Sequence, residues 1–182
     1  MFIAQEKKRN NIIEYLLYMW QIENIIRACQ FNIELIKSQV IIQMGLTDND
    51  KDLVIDWYND LIQQMKSQNL QQSGHLCFTR DIISELSLLH QTLLKTHTDK
   101  SYNPLYSNAR GDIYDLQQKQ PNEPTEIEAC INGIFGLWML KVSKKEISPS
   151  TQQSFERISK MLARLGKNYH EMMGSSDQKI NH

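Results

Sequence analysis

The sequence predicts an all-α fold, with a single domain of about seven helices over residues 1–173 and a disordered tail over residues 174–182. Apolar side chains recur every three or four residues in several segments, and no segment alternates as a strand does. Nine of the eleven residues in 12–22 are apolar or aromatic. A helix that is apolar on nearly every side must be surrounded by other elements. We therefore expect the first helix, residues 10–29, to be central in the bundle.

Length and composition indicate an ordinary globular protein. The chain has 182 residues, of which 41% are hydrophobic and 23% charged. A net charge of −1 argues against a broad surface for nucleic acid. The charge is uneven, since residues 48–60 hold five aspartates and one lysine, whereas residues 141–167 hold seven basic and two acidic residues.

The cysteines and the N-terminus predict a cytoplasmic protein. Cys29, Cys77 and Cys130 are odd in number and lie among apolar neighbours, which favours free thiols in a reducing compartment. Basic residues 7–9 precede an apolar run as in a signal peptide, but Glu14 interrupts that run early. The run is also shorter than the roughly 20 apolar residues that span a bilayer. We expect no membrane association.

Caps and apolar spacing predict the later helices. Asn32 and Thr47 have the chemistry of N-caps for the second and third helices, and Gly45 ends the second. Ser148 and Pro149 mark the cap and first position of the last helix. The spacing of apolar residues predicts further helices at residues 77–96, 105–116 and 125–142.

The helix at residues 125–142 has both an apolar side and a strip of small residues. Its spacing predicts that Phe135 and Trp138 point inward together with the residues before them. Ala129, Gly133 and Gly136 form a strip of small residues, where another helix can approach closely.

No metal or cofactor site is predicted. Asp48, Asp50 and Asp52 have the spacing that opens an EF-hand loop, but Leu53 and Asn59 occupy the positions of its required glycine and glutamate. Acidic residues in a first helical turn are the better interpretation, because they complement the helix dipole. The sequence contains no Glu-x-x-His pair for a di-iron site, no phosphate loop and no hydrolase motif.

A polar pocket near Glu23, Arg27 and His90 is one candidate site. Glu23 shares a helical stripe with apolar residues and so turns toward the core. Arg27 lies four residues further on, and His90 lies on the apolar face of its own helix. A structural or surface ion pair explains the same residues and is the preferred interpretation.

The last helix offers two other candidates. Its apolar seam suits antiparallel packing or a dimer contact. The basic segment 141–167 resembles a helix-turn-helix, but the turn is longer than usual and the seam already explains the helix as core. The seam, which is the candidate interface, consists of Phe155, Ile158, Leu162, Leu165 and Tyr169.

Four stretches of the chain together resemble one family. They are MFIAQEKKRNNIIEYLLYMWQIENIIRA at the N-terminus, the Leu89–His90 pair, GIFGLWMLKVSKKEIS, and the closing Tyr169–His170 pair. The sequence is similar to a bacterial domain-of-unknown-function family of small helical proteins, typified by gut-dwelling Bacteroidetes. The resemblance covers nearly the whole chain and implies a single-domain, intracellular, all-helical protein. It implies no activity and no catalytic residue.

The leading functional hypothesis is a non-enzymatic cytoplasmic interaction or assembly module that self-associates or binds a protein partner. The alternative is a small-molecule binding protein or enzyme that uses the polar pocket. DNA binding through residues 141–167 is the least favoured hypothesis.

Overall fold

Residues 2–179 of the computed structural model form eight α-helices and one short 3₁₀ helix, without a strand, and side chains are described for residues 2–174. The all-α prediction is confirmed, with one helix more than expected. Residues 180–182 of the predicted tail lie outside the described residues. The elements are α1 (Phe2–Asn10), α2 (Ile12–Ala28), α3 (Ile33–Gln39), the 3₁₀ helix (Ile41–Met44), α4 (Asp48–Ser67), α5 (Cys77–Thr96), α6 (Tyr102–Gln118), α7 (Glu126–Val142) and α8 (Pro149–Lys179).

The predicted first helix, residues 10–29, corresponds to α2, and a separate helix, α1, precedes it. The break lies at Asn11, whose side-chain Oδ1 accepts a hydrogen bond from the backbone N–H of Ile13 at 3.1 Å. A side chain that binds a backbone donor in this way begins a new helix. Nine of the 17 residues of α2 are buried, while its position at the centre of a bundle stays a prediction.

The predicted N-caps act as caps. The side-chain oxygen of each accepts a hydrogen bond from a backbone N–H two or three residues later: Asn32 from Glu34, Thr47 from Asp50, and Ser148 from Thr151. The second predicted helix ends earlier than expected, because the β-branched run Val40–Ile42 has low helix propensity. The 3₁₀ helix then leads to Gly45, which has a φ of +62°.

The last helix is longer than expected. The backbone of α8 continues to Lys179, past the predicted end of the domain at residue 173. Residues 175–179 contain neither proline nor glycine, so nothing in their sequence forces the helix to end.

The helices divide into two compact units. The first unit contains residues 2–10 and 14–81, and the second contains residues 11–13 and 82–179. In the first unit, α3 packs on α4 and on the 3₁₀ helix. In the second unit, α8 packs mainly on α6, and α7 contacts both α6 and α8. Among the described residues, no helix combines the length and the apolar character needed to cross a membrane.

Candidate functional site

Glu23 is fully buried, and both of its carboxylate oxygens bind the loop that precedes α5. Oε2 lies 2.6 Å from Nδ1 of His75, and Oε1 accepts the backbone N–H of Leu76 at 3.0 Å. The His75 ring stacks on the Trp20 ring, with centroids 3.8 Å apart and planes 13° apart. A buried carboxylate is costly unless hydrogen bonds satisfy it. These contacts therefore explain how the first unit tolerates Glu23.

Arg27 holds the same loop from one turn further along α2. Its Nε donates to the carbonyl of Leu70 at 3.0 Å, and its Nη2 donates to the carbonyl of Gly74. Its Nη1 donates to the side chain of Asn24 at 3.0 Å. Burial lowers the pKa of Arg27, and the charge of Glu23 opposes that shift. The guanidinium thus binds two backbone carbonyls of the loop. We call Glu23, Arg27, His75 and Trp20 the loop clamp.

His90 has its own partners in the second unit. Its Nδ1 lies 2.6 Å from the hydroxyl of Tyr102, and its Nε2 lies 2.8 Å from Oε2 of Glu126. The other oxygen of Glu126 accepts the hydroxyl of Tyr106 at 2.9 Å. The hydrogen bond from His90 lowers the pKa of Glu126, and burial raises the pKa of Tyr102. We call these four residues the histidine network.

The three residues of the predicted polar pocket therefore belong to two sets of contacts. Glu23 and Arg27 are in the loop clamp, whereas both ring nitrogens of His90 bind other partners. The sequence did not nominate His75 as the partner of Glu23, because the two lie 52 positions apart and His75 lies in a loop without periodicity. Ligand binding near Glu23, Arg27 and His90 stays a prediction.

The predicted seam of α8 packs inside the second unit. Ile158, Leu162, Leu165 and Tyr169 are buried, and the Tyr169 hydroxyl donates to Oε2 of Glu85 at 2.6 Å. Their spacing therefore serves contacts of α8 with α6 and α7. Little of these four side chains is left for a second copy of the chain.

Phe155 is the half-buried member of the seam. It lies with Leu137 in a groove of about 460 Å³ between α7 and α8, where Lys141, Glu156 and Lys160 also line the opening. The groove brings the exposed end of the seam next to α7.

Two arginines of the basic segment bind aspartates of the second unit. Arg157 donates to both oxygens of Asp112 at 2.7 and 2.9 Å, and Arg164 donates to both oxygens of Asp99 at 2.5 and 2.9 Å. Asn168 adds a third hydrogen bond to Asp99 at 2.7 Å. The arginines hold the pKa values of both carboxyl groups below their usual range. The positive charges of Arg157 and Arg164 are therefore paired with carboxylates of the same chain.

The C-terminal half of α7 exposes apolar side chains. The exposed fractions are 40% for Met139, 39% for Leu140 and 59% for Val142. Phe135 is half-buried beside them, and Gly136 is exposed. We call these five residues the α7 surface. This surface could not be predicted from the sequence, because an apolar helix is expected in the core and its sequence does not show how much of it other helices cover.

The small residues of α7 face different surroundings. A Cβ atom on Gly133 would lie 2.6 Å from Cδ2 of Leu116 and 3.0 Å from Cε1 of Phe155. A Cβ atom on Gly136 would meet no atom within 4 Å. Gly133 therefore admits side chains of α6 and α8, as the predicted strip suggests. Packing within the chain does not require a glycine at position 136.

Metal-binding side chains and the Cys130 thiol are two further kinds of reactive group to consider in the described part of the chain. No three His, Cys, Asp or Glu side chains of that part are grouped so that they could hold a metal ion. Burial raises the pKa of the Cys130 thiol to about 12, which makes it a poor nucleophile at neutral pH.

Comparison with known proteins shows the family. The sequence matches the family described as a domain of unknown function, DUF4924, over residues 1–175. No curated protein and no solved structure matches the chain. The family domain extends across both compact units. The resemblance to a domain-of-unknown-function family is confirmed, and the chain belongs to the DUF4924 family.

Proposed function

We propose that this protein is a non-enzymatic cytoplasmic assembly module that pairs with a second copy of itself through the α7 surface. The observation behind the proposal is the exposure of Met139, Leu140 and Val142 on one helix. Contiguous apolar patches on a folded chain mark interaction sites, because leaving them in water forgoes the free energy of burial.

The size of the α7 surface fits one ordinary interface. Its side chains expose an apolar area on the order of a few hundred Å², comparable to the largest patch on a typical monomer. A standard protein interface buries about 800 Å² on each partner, and slightly more than half of that area is apolar. The α7 surface, together with the polar residues at its margin, is of the size that such an interface needs.

The polar contacts support a non-enzymatic role. The loop clamp binds backbone groups of a loop, and the histidine network links side chains of α5, α6 and α7. Satisfied buried networks of this kind hold elements in one arrangement. A catalytic base, by contrast, needs its acceptor directed at a substrate.

Sedimentation equilibrium over a range of protein concentrations tests the proposal. We expect the wild-type chain to approach twice its monomer mass of 21.4 kDa. The double variant Met139→Gln/Leu140→Gln should weaken this association by at least about tenfold, because it removes two apolar anchors from the interface. Circular dichroism should show unchanged helix content.

The variant Leu88→Gln is the matched control, since Leu88 is 66% exposed on a different helix, α5. It should associate like the wild type. A wild-type chain that stays monomeric at every concentration would contradict the proposal, as would a double variant that associates with unchanged affinity.

A further inference from the structure

We infer that His170 is a proton-sensitive cap, which fastens α8 to the first turn of α2 at neutral pH and releases it in acid. The inference is independent of the proposed self-association. Three observations support it: the hydrogen bond between the His170 ring and the backbone of Ile12, the burial of that donor, and the position of the ring at the start of a helix. We call this hydrogen bond the imidazole cap.

The imidazole cap pairs a backbone donor that α2 itself cannot pair. The first four N–H groups of an α-helix have no acceptor within the helix. The N–H of Ile12 donates to Nε2 of His170 at 3.1 Å, and the N–H of Ile13 donates to Oδ1 of Asn11 at 3.1 Å. Because Ile12 is only 1% exposed, water has little access to its N–H. Loss of the imidazole acceptor would therefore leave a buried donor unpaired.

The packing of α8 places the ring at this donor. Residues 11–13 belong to the second compact unit, as α8 does. Gly166 lies one turn before His170 on α8 and is buried. A Cβ atom on Gly166 would lie 3.4 Å from Cγ1 of Ile13 and 3.6 Å from Cγ2 of Ile12. The same face of α8 thus packs on the side chains of this turn and accepts a hydrogen bond from its backbone.

The hydrogen bond determines the protonation state of the ring. Since Nε2 accepts the N–H of Ile12, the proton of the neutral imidazole lies on Nδ1. A protonated imidazole has no acceptor nitrogen. It would also place a positive charge at the positive end of the α2 dipole. Protonation of His170 and the closed cap therefore exclude each other, and histidine is the side chain whose charge changes between about pH 5 and 8.

Charged groups on α8 and α5 already have partners. Glu171 follows His170 directly, and its Oε1 lies 3.8 Å from Nζ of Lys167. The ring of Tyr169 meets the His170 ring edge-on, with centroids 6.0 Å apart. The hydroxyl of Tyr169 donates to Oε2 of Glu85 on α5 at 2.6 Å. Both carboxylates are thus shared with a cation or a hydroxyl group, so a new charge on His170 would gain little from them.

The remaining charges near the cap in the chain are mostly positive. Residues 7–9 are all basic and come shortly before α2, and one of them binds Glu14 at 2.9 Å. Six residues before His170, Arg164 is bound to Asp99. This excess of positive charge disfavours an imidazolium at the same helix start.

Nitrogen NMR of the imidazole rings tests the cap directly. At pH 7.5, the His170 ring should show an unprotonated Nε2 and a protonated Nδ1, because Nε2 accepts a backbone donor. The variant His170→Gln identifies its signals by their loss. A proton on Nε2 at this pH would overturn the inference, since that nitrogen could not then accept a hydrogen bond.

Hydrogen exchange of the Ile12 amide measures the opening of the cap. After correction for the intrinsic exchange rate, its protection factor should fall by at least about tenfold between pH 7.5 and 5.5. In His170→Gln, the amide oxygen accepts a hydrogen bond at every pH, so protection should change by less than about twofold over the same range. In His170→Ala, protection should already be low at pH 7.5.

The matched control is His97→Asn. His97 is an exposed histidine with a φ of +53°, a conformation that asparagine tolerates. This variant should keep the wild-type fall in Ile12 protection, and circular dichroism should show unchanged helix content in every variant compared. Equal protection of Ile12 at both pH values in the wild type, or a fall that persists in His170→Gln, would overturn the inference.

Discussion

Glu23 is a buried carboxylate that fixes a loop. Its partners, His75 and the N–H of Leu76, lie in the segment between α4 and α5, and Arg27 binds two carbonyls of the same segment. A Gln- and Ser-rich loop has little apolar surface of its own to bury. It therefore depends on hydrogen bonds from α2 for a defined path.

Replacing Glu23 by glutamine should lower the free energy of unfolding by about 1–3 kcal/mol. The amide can still accept the N–H of Leu76, but the charge-assisted bond to His75 is lost. Urea denaturation measures the change. Glu34→Gln, at an exposed ion pair with Lys37, is the control and should shift stability by less than about 0.5 kcal/mol. An unchanged stability in Glu23→Gln would argue against the loop clamp as a structural device.

Asp99 should make stability depend on pH in the acid range. Arg164 holds the pKa of Asp99 below its usual range, so the folded state binds this proton less readily than the unfolded chain. The stabilisation is thus fully present above about pH 5 and is lost as the pH falls below about 4. The free energy of unfolding of the variant Asp99→Asn should be lower than that of the wild type by about 2–4 kcal/mol at pH 7, because the substitution leaves Arg164 without its ion-pair partner.

Urea denaturation at pH 7, 5 and 3 should show the gap between wild type and Asp99→Asn narrowing at the lowest pH. The exposed Asp115→Asn serves as the comparison, with no gap expected. A gap that is constant down to pH 3 would contradict the linkage between Asp99 and Arg164.

Among the helices, α7 is covered by side chains of α6 and α8 at Gly133, whereas all four residues of its last turn, 139–142, are exposed. The two glycines of this helix differ in their surroundings. Gly133 lies against Leu116 and Phe155, whereas Gly136 lies on the α7 surface. The same substitution at these positions therefore separates internal packing from the proposed interface.

Gly133→Ala should be less stable than Gly136→Ala by about 1–3 kcal/mol. Both variants gain helix propensity, but only at position 133 must Leu116 and Phe155 move to admit a methyl group. Chemical denaturation at low protein concentration measures the difference. Equal stability of the two variants would mean that α6 and α8 adjust without cost.

Helix boundaries were predictable where local chemistry decides them. Asn32, Thr47 and Ser148 bind backbone groups two or three residues away, so a short stretch of sequence contains the whole cause. Helix α1 was not predicted, because its apolar residues are confined to its first turn, so its sequence has no helical periodicity. The extent of α8 was missed because a polar segment without helix breakers does not reveal its conformation.

At the scale of the whole molecule, contacts distant in sequence account for what could not be predicted. Glu23 and His75, or His90 and Glu126, meet only because helices fold back on one another. Apolar spacing likewise marks both α7 and α8 as amphipathic or apolar without indicating how much of each is covered. Four of the five residues of the predicted interface on α8 are buried within the chain, whereas Met139, Leu140 and Val142 of α7 are exposed.

The charge distribution of the chain predicts negligible DNA binding. The net charge is −1, and Arg157 and Arg164 are paired with Asp112 and Asp99. Few phosphate contacts are therefore available to release counterions. Fluorescence anisotropy with a labelled duplex should give a dissociation constant weaker than about 10 μM near 150 mM salt. Submicromolar binding that falls steeply with added salt, and that Lys160→Glu weakens, would revive the helix-turn-helix interpretation.

The two buried cysteines can report separately on the local opening of the two compact units. Cys77 is exposed, whereas Cys29 is buried in the first unit and Cys130 in the second. A thiol reagent reaches a buried cysteine only when the structure around it opens. In a Cys77→Ser protein, the labelling rates of the two remaining thiols, separated by mass spectrometry of peptides, therefore give the opening free energy of each unit without introducing a new cysteine. Equal rates would reveal one cooperative unfolding event, and unequal rates would identify the less stable unit.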